Sequence, residues 1–445
     1  MINRENIIAY NQTTVNYKYL RKHKADTLKE WHSQNFEGKP FIKKENLTVE
    51  SYKSATILPM KKFDEDPISR SFGRGGVVDK DNNYVILSEL SERLSGGYEF
   101  SNEEFIDEKV VYCGYFINHW GHFLVDTIVR LWYVLENDTS IDKYVFMSEY
   151  GNDKEPKGNY KEFFELLGIA NKVRIVSKPT RFREVVVPEL GYKEREFFSE
   201  PFKNMFDFIA RAVKPLPEWE KTDKLFLTRS QFNKSTSIDS GMDMIDNFFH
   251  KNGYMVIAPE TISLSQLIYL IRNSKVCAAM SGTLPHHMLF TKDNHNMVIL
   301  ERNPMNNVRQ VDINLTKNLN VTYIDTSLAL YPVNLAVGPF IYYYKGYLES
   351  FANDNNYIAP DKKFLTEKYT KGCVAKYIKG YRSLYQYQWY TEDDWYLPYM
   401  PSLREAYLDS LNYLGDYIYG RKPFKLSHYF ELHYIKQIVK SIIGR

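Results

Sequence analysis

Hydrophobic and polar positions alternate in regular blocks through the middle of the chain. The apolar run at 110–117 predicts a buried strand, and the segment 118–132 that follows it predicts a helix. Apolar runs at 143–148 and 172–177 predict two more strands, with a helix between them at 160–169. Strands that alternate with helices along a chain indicate parallel βαβ units.

A second block begins after residues 214–223, a proline-containing, charged stretch without periodicity that predicts a linker. The apolar runs that predict strands in this block lie at 224–230, 254–259, 275–280, 296–302 and 319–327. Helices are predicted between them at 242–253, at 263–274 with Ser263 as the N-cap, and at 284–290. Continuous apolar strands between helices are typical of a parallel sheet covered on both faces.

The two ends of the chain follow this pattern less closely. Residues 1–100 mix polar segments with strand-like runs, and the runs at 75–79 and 83–89 predict a β-hairpin. Residues 336–445 are rich in aromatic side chains and show no clear alternation. We therefore predict an α/β protein with an N-terminal domain at 1–215, a second α/β domain at 216–335 and a C-terminal helical extension at 336–445.

The end of the chain carries an apolar stripe at helical spacing next to Lys436 and Lys440. The stripe consists of Tyr434, Ile435, Ile438, Val439 and Ile442. Such a helix suits peripheral contact with an anionic membrane surface. A terminal helix packed on the body of the protein would show the same pattern, so both interpretations stay open.

The composition is that of a globular protein and does not favour a nucleic-acid-binding one. The 445 residues are 44% hydrophobic and 25% charged, which is ordinary for a globular protein of two or more domains. A net charge of +3 gives no whole-chain basis for nucleic-acid binding. The three cysteines, Cys113, Cys277 and Cys373, are far apart and odd in number, so we expect reduced thiols and a cytoplasmic protein. We expect no signal peptide and no membrane-spanning segment.

A small turn in the second block suits a phosphate group. The strand at 275–280 runs into Ser281-Gly282-Thr283, and a helix is predicted from Leu284. A turn of this kind presents backbone N–H groups at the positive end of a helix dipole. Ser-Gly-Thr also occurs in ordinary strand-to-helix turns, so this turn alone does not establish a phosphate site.

Charged residues at neighbouring strand ends strengthen the case for a nucleotide. Arg229 and Lys234 follow the first strand of the block, and Glu301 ends the strand at 296–302. The carboxyl ends of parallel strands share one edge, where two cations can hold a diphosphate and a carboxylate can accept ribose hydroxyls. No Gly-x-x-x-x-Gly-Lys-Ser/Thr loop and no strand-to-helix Gly-x-Gly-x-x-Gly is present, which disfavours ATP hydrolysis and nicotinamide chemistry.

The helix predicted at 118–132 carries a polar stripe. His122, Asp126 and Arg130 are spaced by four residues, and His119 lies one turn earlier. A carboxylate one turn from an imidazole orients it and raises its basicity, as a general base requires. Exposed polar residues at an ordinary helix start remain the alternative, and Arg130, farther down the helix, is expected to anchor structure.

A metal site was also considered for these histidines. His119, His122 and Asp126 with the pair His286-His287 supply metal-ligand types. Their spacing is not the His-Glu-x-x-His pattern of zinc hydrolases, and adjacent histidines on a helix point in different directions. We therefore predict neither a metal nor another cofactor.

The chain resembles the family-61 glycosyltransferases in two regions. The first is GYFINHWGHFLVDTIVRLW at 114–132, and the second extends from 224–230 through Pro259-Glu260 and the Ser281 turn to VILER at 298–302. The resemblance implies a GT-B fold, in which two Rossmann-like domains face each other, here an acceptor-side domain at 1–215 and a donor-binding domain at 216–335. It also implies inverting, metal-independent transfer of a sugar from a nucleotide donor.

By the same resemblance, residues of this sequence receive roles. Arg229, Ser281, Gly282 and Glu301 fall on the donor side, and His122 and Asp126 fall on the catalytic helix. Beside these, we predict His119 as a catalytic residue and Lys234, Glu260 and Thr283 as donor-binding residues. The chain departs from the commoner pattern at Thr283-Leu284-Pro285 and in having Asp126 rather than Glu, which leaves the donor sugar open.

The function predicted from these features is synthesis of cell-surface glycan such as capsule. The donor would be a nucleotide-diphosphate sugar, with UDP favoured and a hexosyl or N-acetylhexosaminyl group transferred. The acceptor would be a polysaccharide or glycolipid, with the enzyme cytoplasmic or peripheral on the inner face of the plasma membrane. The alternatives are a phosphotransferase that uses a nucleotide-linked alditol or sugar phosphate, and a non-catalytic binding module of glycan assembly.

Overall fold

The computed structural model describes most of the chain as a mixed α/β protein. The described residues are 7–10, 13–36, 46–61, 73–90, 96–148, 155–232, 239–303, 307–328 and 338–385. They form two large sheets with helices packed on them, which confirms the α/β fold. Two predictions, the anion-binding role of Lys234 and the apolar stripe at 434–442, lie outside the described residues.

The strands are, in chain order, β1 (Ile7–Tyr10), β2 (Thr13–Tyr19), β3 (Val49–Lys61), β4 (Arg74–Val78), β5 (Glu104–Tyr115), β6 (Lys143–Met147), β7 (Val173–Val176), β8 (Thr180–Pro188), β9 (Tyr192–Lys193), β10 (Phe197–Phe198), β11 (Lys224–Leu227), β12 (Asp239–Ser240), β13 (Met255–Ile257), β14 (Val276–Met280), β15 (Asn296–Glu301), β16 (Asn320–Asp325) and β17 (Phe340–Ile341). The α-helices are α1 (Lys22–Phe36), α2 (Trp120–His122), α3 (Asn159–Leu166), α4 (Glu200–Ala212), α5 (Met242–Lys251), α6 (Leu264–Asn273), α7 (Val308–Thr316), α8 (Tyr347–Asp354) and α9 (Glu367–Tyr385). No strand or helix lies within 214–223, where the linker was predicted.

The first sheet has the order β4-β3-β8-β5-β6-β7. Strands β8, β5, β6 and β7 run parallel, while β3 and β4 add an antiparallel edge. Because β6 and β7 lie on one side of β5 and β8 on the other, the chain reverses its direction of travel across the sheet at β5. The loop that follows β5 leads directly into α2.

The second sheet has the order β1-β2-β16-β15-β14-β11-β13. Every neighbouring pair from β2 to β13 is parallel. The chain runs from β11 to β13 on one side and then returns to place β14 on the other side of β11. In open α/β sheets, ligands bind at the carboxyl ends of strands where the order reverses in this way. This topology therefore points to the crevice between the ends of β11 and β14.

The start of the chain belongs to the second sheet, not to the first. Strand β2 pairs parallel with β16, although more than three hundred residues separate the partners Thr14 and Asn320. Two buried ion pairs fix the segment after β2: Arg21 with Asp325 at the end of β16, and Lys24 with Glu301 at the end of β15. The predicted domain boundaries remain predictions, but sheet membership does not follow chain order.

The two sheets are joined by polar contacts between their helices. The carboxylate of Glu162 on α3 accepts hydrogen bonds from the backbone N–H groups of Leu264 (2.8 Å) and Ser265 (2.7 Å). These are unsatisfied donors in the first turn of α6, where a carboxylate also meets the positive end of the helix dipole. Ser263 caps the same helix as predicted, accepting from the N–H of Gln266 at 3.1 Å.

One sequence-based prediction of local structure is wrong in part. The second arm of the hairpin, 83–89, contributes only a bridge between Val78 and Tyr84 and then turns into a 3₁₀ helix, Ile86–Ser88. The carbonyl groups of Leu87 and Glu89 bind the guanidinium of Arg130 instead of a neighbouring strand. The helix predicted at 284–290 is a 3₁₀ helix, Leu284–Phe290.

Candidate active site

The predicted helix at 118–132 is not a continuous α-helix. His119 is extended and caps α2, its Nδ1 accepting from the N–H of His122 at 3.4 Å. The next residues, Phe123–Thr127, form a π-helix, in which the N–H of Ile128 donates to the carbonyl of Phe123 at 3.2 Å. Single π-turns inside helices are frequent at functional sites. Because the π-turn is wider than an α-helical turn, Arg130 does not lie on the same side of this segment as His122 and Asp126.

His122 and Asp126 contact each other as predicted. Nδ1 of His122 lies 2.6 Å from Oδ2 of Asp126, and the side chains are 35% and 10% exposed. A carboxylate only accepts hydrogen bonds, so Nδ1 carries the proton and Nε2 is the basic nitrogen. In this tautomer the imidazole accepts a proton through Nε2, as a general base does.

Arg309, at the start of α7, completes this network. Its Nη1 donates to Asp126 Oδ2 at 2.8 Å and lies 3.0 Å from His122 Nδ1, and its Nε donates to Glu194 at 3.0 Å. Burial disfavours the charge of Arg309, but Asp126 and Glu194 outweigh that cost and raise its pKa above the ordinary value. The cation holds in place the Asp126 carboxylate that orients His122. It also connects a helix of the second sheet to the histidine of the first.

Arg130 has a structural role, as expected. Its guanidinium is fully buried and donates to the carbonyl groups of Pro188 (2.9 Å), Leu87 (2.9 Å) and Glu89 (2.7 Å). It therefore holds the loop at 85–89 against the end of β8. None of these partners is recognisable from sequence, because a backbone carbonyl belongs to every residue type.

The loop before His122 packs against the Ser281 turn of the other sheet. A Cβ atom added to Gly121 would lie 2.7 Å from Oγ1 of Thr283, so only glycine allows this approach. Next to it, Nε1 of Trp120 donates to Nε2 of His287 at 2.8 Å, which requires His287 to carry its proton on Nδ1, facing the carbonyl of Leu284 at 2.9 Å. Burial lowers the pKa of His287 to about 4, in keeping with a neutral ring. The two sequence motifs thus meet at one place.

The Gly121 contact predicts that Gly121→Ala changes the free energy of unfolding in opposite directions in the wild-type and Thr283→Ala proteins. Gly121→Ala should lower the free energy of unfolding by about 1–3 kcal/mol, because the new methyl group overlaps Thr283. In a Thr283→Ala background the nearest atoms are absent, and the same substitution should instead be neutral or stabilise, since alanine favours a helix over glycine. Urea unfolding of the four variants measures this. Equal effects of Gly121→Ala in both backgrounds would show that the motifs do not touch.

The Ser281 turn is shaped by its own backbone and by Arg302. Gly282 has a φ of +121°, and a Cβ there would lie 2.7 Å from Nη2 of Arg302. The Oγ of Ser281 accepts from the backbone N–H of Arg302 at 3.3 Å. The helix after Thr283 is short and of the 3₁₀ type, so its dipole contributes little. An anion at this turn would depend mainly on the nearby guanidinium groups.

Arg229 follows β11 and Arg302 follows β15, which places two cations at the carboxyl edge of the second sheet. Nε of Arg229 lies 3.2 Å from Asp239, and the Arg229 guanidinium covers the ring of Phe232 at 4.7 Å. The Arg302 guanidinium stacks on Phe340 at 4.3 Å. Burial, followed by the positive charge of Arg229, lowers the pKa of Arg302 to about 10. The two like charges repel each other, so an anion between them would be stabilised by both.

Two further residues predicted on the donor side, Glu301 and Glu260, differ in their exposure to solvent. Glu301 is buried and its Oε2 lies 2.9 Å from Nζ of Lys24, which also donates to the carbonyl of Asn303 at 2.8 Å. The carboxylate expected to bind ribose is therefore already engaged by a cation from α1. Glu260 is exposed on the 3₁₀ turn Pro259–Thr261 after β13, at the same edge of the sheet.

The histidine pair does not assemble with His119 and His122. Nδ1 of His286 lies 2.7 Å from Oε1 of Gln310, whereas His287 faces Trp120, so the two rings diverge as predicted. Within the described ranges, no group of three His, Cys, Asp or Glu side chains is arranged to hold a metal ion.

Sequence reasoning missed three contributors: Arg309, Arg302 and Trp120. Arg302 and Trp120 lie inside the motifs VILER and NHWGH, but nothing in the sequence assigned either residue a role. Arg309 lies in a segment without a clear periodic pattern, and its partners are distant in sequence. No local signal marks it.

Residues 120–298 match the Glycosyltransferase 61 family model. The match contains His122, Asp126, Arg229 and the Ser281 turn, and it supports a family-61 glycosyltransferase. No curated protein matches the chain. In the part of the chain that the structure describes, no helix is both long and apolar enough to cross a bilayer.

Proposed function

We propose that this protein is an inverting, metal-independent glycosyltransferase of the GT-B type. The observation that carries the proposal is the contact between the two motifs: the His122–Asp126–Arg309 network lies beside the Ser281 turn through Gly121 and Thr283. A base and an anion-binding crevice on facing loops suit a reaction in which a hydroxyl group displaces a phosphate.

In the proposed reaction, His122 Nε2 accepts the proton of an acceptor hydroxyl. The acceptor oxygen forms a bond to the anomeric carbon while the bond from that carbon to the phosphate oxygen breaks, and the nucleoside diphosphate leaves with the electron pair. One displacement inverts the anomeric configuration. Arg229 and Arg302 stabilise the charge that develops on the diphosphate, with fixed cations in place of a metal ion.

The identity of the substrates rests on the resemblance of the motifs to the family. We propose a UDP-linked hexose or N-acetylhexosamine as donor and a polysaccharide or glycolipid of the cell surface, such as capsule, as acceptor. The three cysteines, Cys113, Cys277 and Cys373, are free thiols, which supports a cytoplasmic enzyme. A peripheral position on the inner membrane face is part of the same proposal.

Nucleotide binding is the direct test of the donor site. UDP at a hundred times its Kd should stabilise the protein by about 2.7 kcal/mol, seen as a rise in Tm without added metal and in the presence of EDTA. Arg229→Gln should weaken UDP binding by about 10- to 100-fold, because a charge-assisted hydrogen bond is lost. Arg183→Gln, on an exposed pair with Asp107, is the matched control and should leave UDP binding unchanged.

Product analysis separates the proposed reaction from its alternative. Sugar transfer releases a nucleoside diphosphate, and phosphate-linked transfer releases a monophosphate. Activity that EDTA abolishes and only a divalent ion restores would contradict the metal-independent mechanism. No Tm response to any nucleotide would instead favour a non-catalytic module.

A further inference from the structure

A broad cleft lies beside the first sheet, and neither Arg229 nor Arg302 lines it. It is open to solvent and has a cavity volume of about 710 Å³. One wall is the loop at 79–89 and the other is the β9–β10 hairpin. Pockets for small ligands have volumes of about 300–1,000 Å³, so this cleft has room for more than one sugar ring.

We propose that the cleft binds the acceptor, and that the acceptor is a glycan chain without anionic groups. This inference rests on the proposed glycosyltransferase function and adds to it the class of acceptor. The cleft's apolar side chains, its charge and its attachment to the catalytic network support it independently.

Apolar and aromatic side chains line the cleft at the surface. Ile86 is 76% exposed, the highest value among the large hydrophobic residues that the structure describes. Tyr84, whose hydroxyl donates to the carbonyl of Gly75 at 3.1 Å, and Tyr52, whose hydroxyl donates to Glu50, hold their rings in fixed positions. Phe197 adds a half-buried ring from the hairpin. The apolar C–H faces of sugar rings pack on such surfaces, and a ring bound over Ile86 would remove its apolar area from water.

The charge of the cleft is negative. The carboxylates in its lining are Glu50, Asp79, Glu89, Glu189 and Glu196. The lining has one ammonium group, Lys193, and it is paired with Glu196 at 2.6 Å. Carboxylates accept strong hydrogen bonds from the hydroxyl groups of a sugar. The same carboxylates repel a uronic acid, a sulfated glycan or a phosphate-linked polymer.

Both walls of the cleft are attached to the catalytic segment. Lys193 and Glu196 line the cleft, and Glu194 between them binds Arg309, the partner of His122 and Asp126. In the opposite wall, the carbonyls of Leu87 and Glu89 bind Arg130. Both walls are thereby held by residues that belong to, or contact, the segment that carries the proposed base.

A panel of hexasaccharides tests the charge and the location together. Titration of the full-length protein with neutral malto-, xylo-, manno- and N-acetylchito-hexaose, and with anionic oligogalacturonate of equal length, should show binding of at least one neutral chain and none of the anionic one. Phe197→Ala should weaken the neutral interaction about tenfold, because a stacking ring is lost. Glu89→Lys with Glu196→Lys should weaken it further and allow oligogalacturonate to bind.

Glu220→Lys is the control, since it reverses a charge on the exposed linker and should change neither interaction. Unchanged Tm values confirm that the variants fold. Preference of the unmodified protein for oligogalacturonate, binding of no neutral hexasaccharide, or neutral binding unaffected by the cleft variants would each overturn the inference. UDP binding with any of these results leaves the proposed transferase standing. Cleft-dependent glycan binding without any nucleotide response would remove the transferase and keep the glycan site.

Discussion

Replacing His122 with alanine should lower kcat for sugar transfer by about 10²–10⁴-fold, the usual contribution of a general base. The loss follows from geometry: Asp126 holds the proton of the imidazole on Nδ1, 2.6 Å away, and leaves Nε2 as the basic atom. The Tm rise with UDP should be unchanged, because in the proposed reaction Arg229 and Arg302 hold the diphosphate whereas His122 contacts the acceptor. The measurement is the initial rate of nucleotide release at saturating donor and acceptor.

His119→Asn is the matched control for this substitution. His119 accepts the N–H of His122 at the start of α2, and asparagine is a good residue for that cap. Its kcat should stay well above that of the His122 variant. If His122→Ala keeps more than a tenth of the wild-type rate while His119→Asn loses activity, the base has been assigned to the wrong histidine.

Replacing Lys24 with methionine should destabilise the protein by about 3–5 kcal/mol, because it leaves the Glu301 carboxylate buried without its cation. The side chains of Lys24 and Glu301 are 1% and 4% exposed, so water cannot substitute for the lost partner. Urea unfolding measures the loss. Lys18→Met breaks a partly exposed pair with Asp354 and should cost less than about 1 kcal/mol.

A double variant separates the charge effect from general damage to α1. Lys24→Met combined with Glu301→Met replaces both ions by apolar groups, which is often close to neutral for buried pairs, and should recover most of the stability. If the double variant is as unstable as Lys24→Met alone, the loss of stability comes from damage to α1 and not from the unpaired carboxylate. If the recovered double variant also binds UDP normally, Glu301 has a structural role and not the ribose-binding role predicted from sequence.

Local pattern was sufficient for most elements of both sheets. Strands such as β6 and β14 are short runs of consecutive apolar residues, which is the local signal of a buried strand, and they lie where they were predicted. The pairing of β2 with β16 was not predictable, because β2 has no local feature that names its partner. The antiparallel edge of the first sheet and its parallel strand β8 were likewise decided by contacts between distant residues.

The same distinction explains which site residues were found. His122 and Asp126 are one turn apart, so their contact follows from spacing even though the turn is a π-turn. Arg309 reaches them from nearly two hundred residues away, and Lys24 reaches Glu301 from the other end of the chain. Long-range ion pairs decide both the orientation of the proposed base and the state of Glu301, and one sequence contains no direct record of them.

The placement of β1 and β2 has a consequence for motion. The chain begins in the second sheet, builds the first sheet from β3 to β8, and returns to the second sheet at β11. Two covalent connections, after α1 and after α4, therefore cross between the sheets. A body attached at a single point can swivel in all directions, whereas one attached at two points turns only about the line that joins them. A relative movement of the two sheets is therefore restricted to rotation about that line, and such a rotation would separate Gly121 from Thr283.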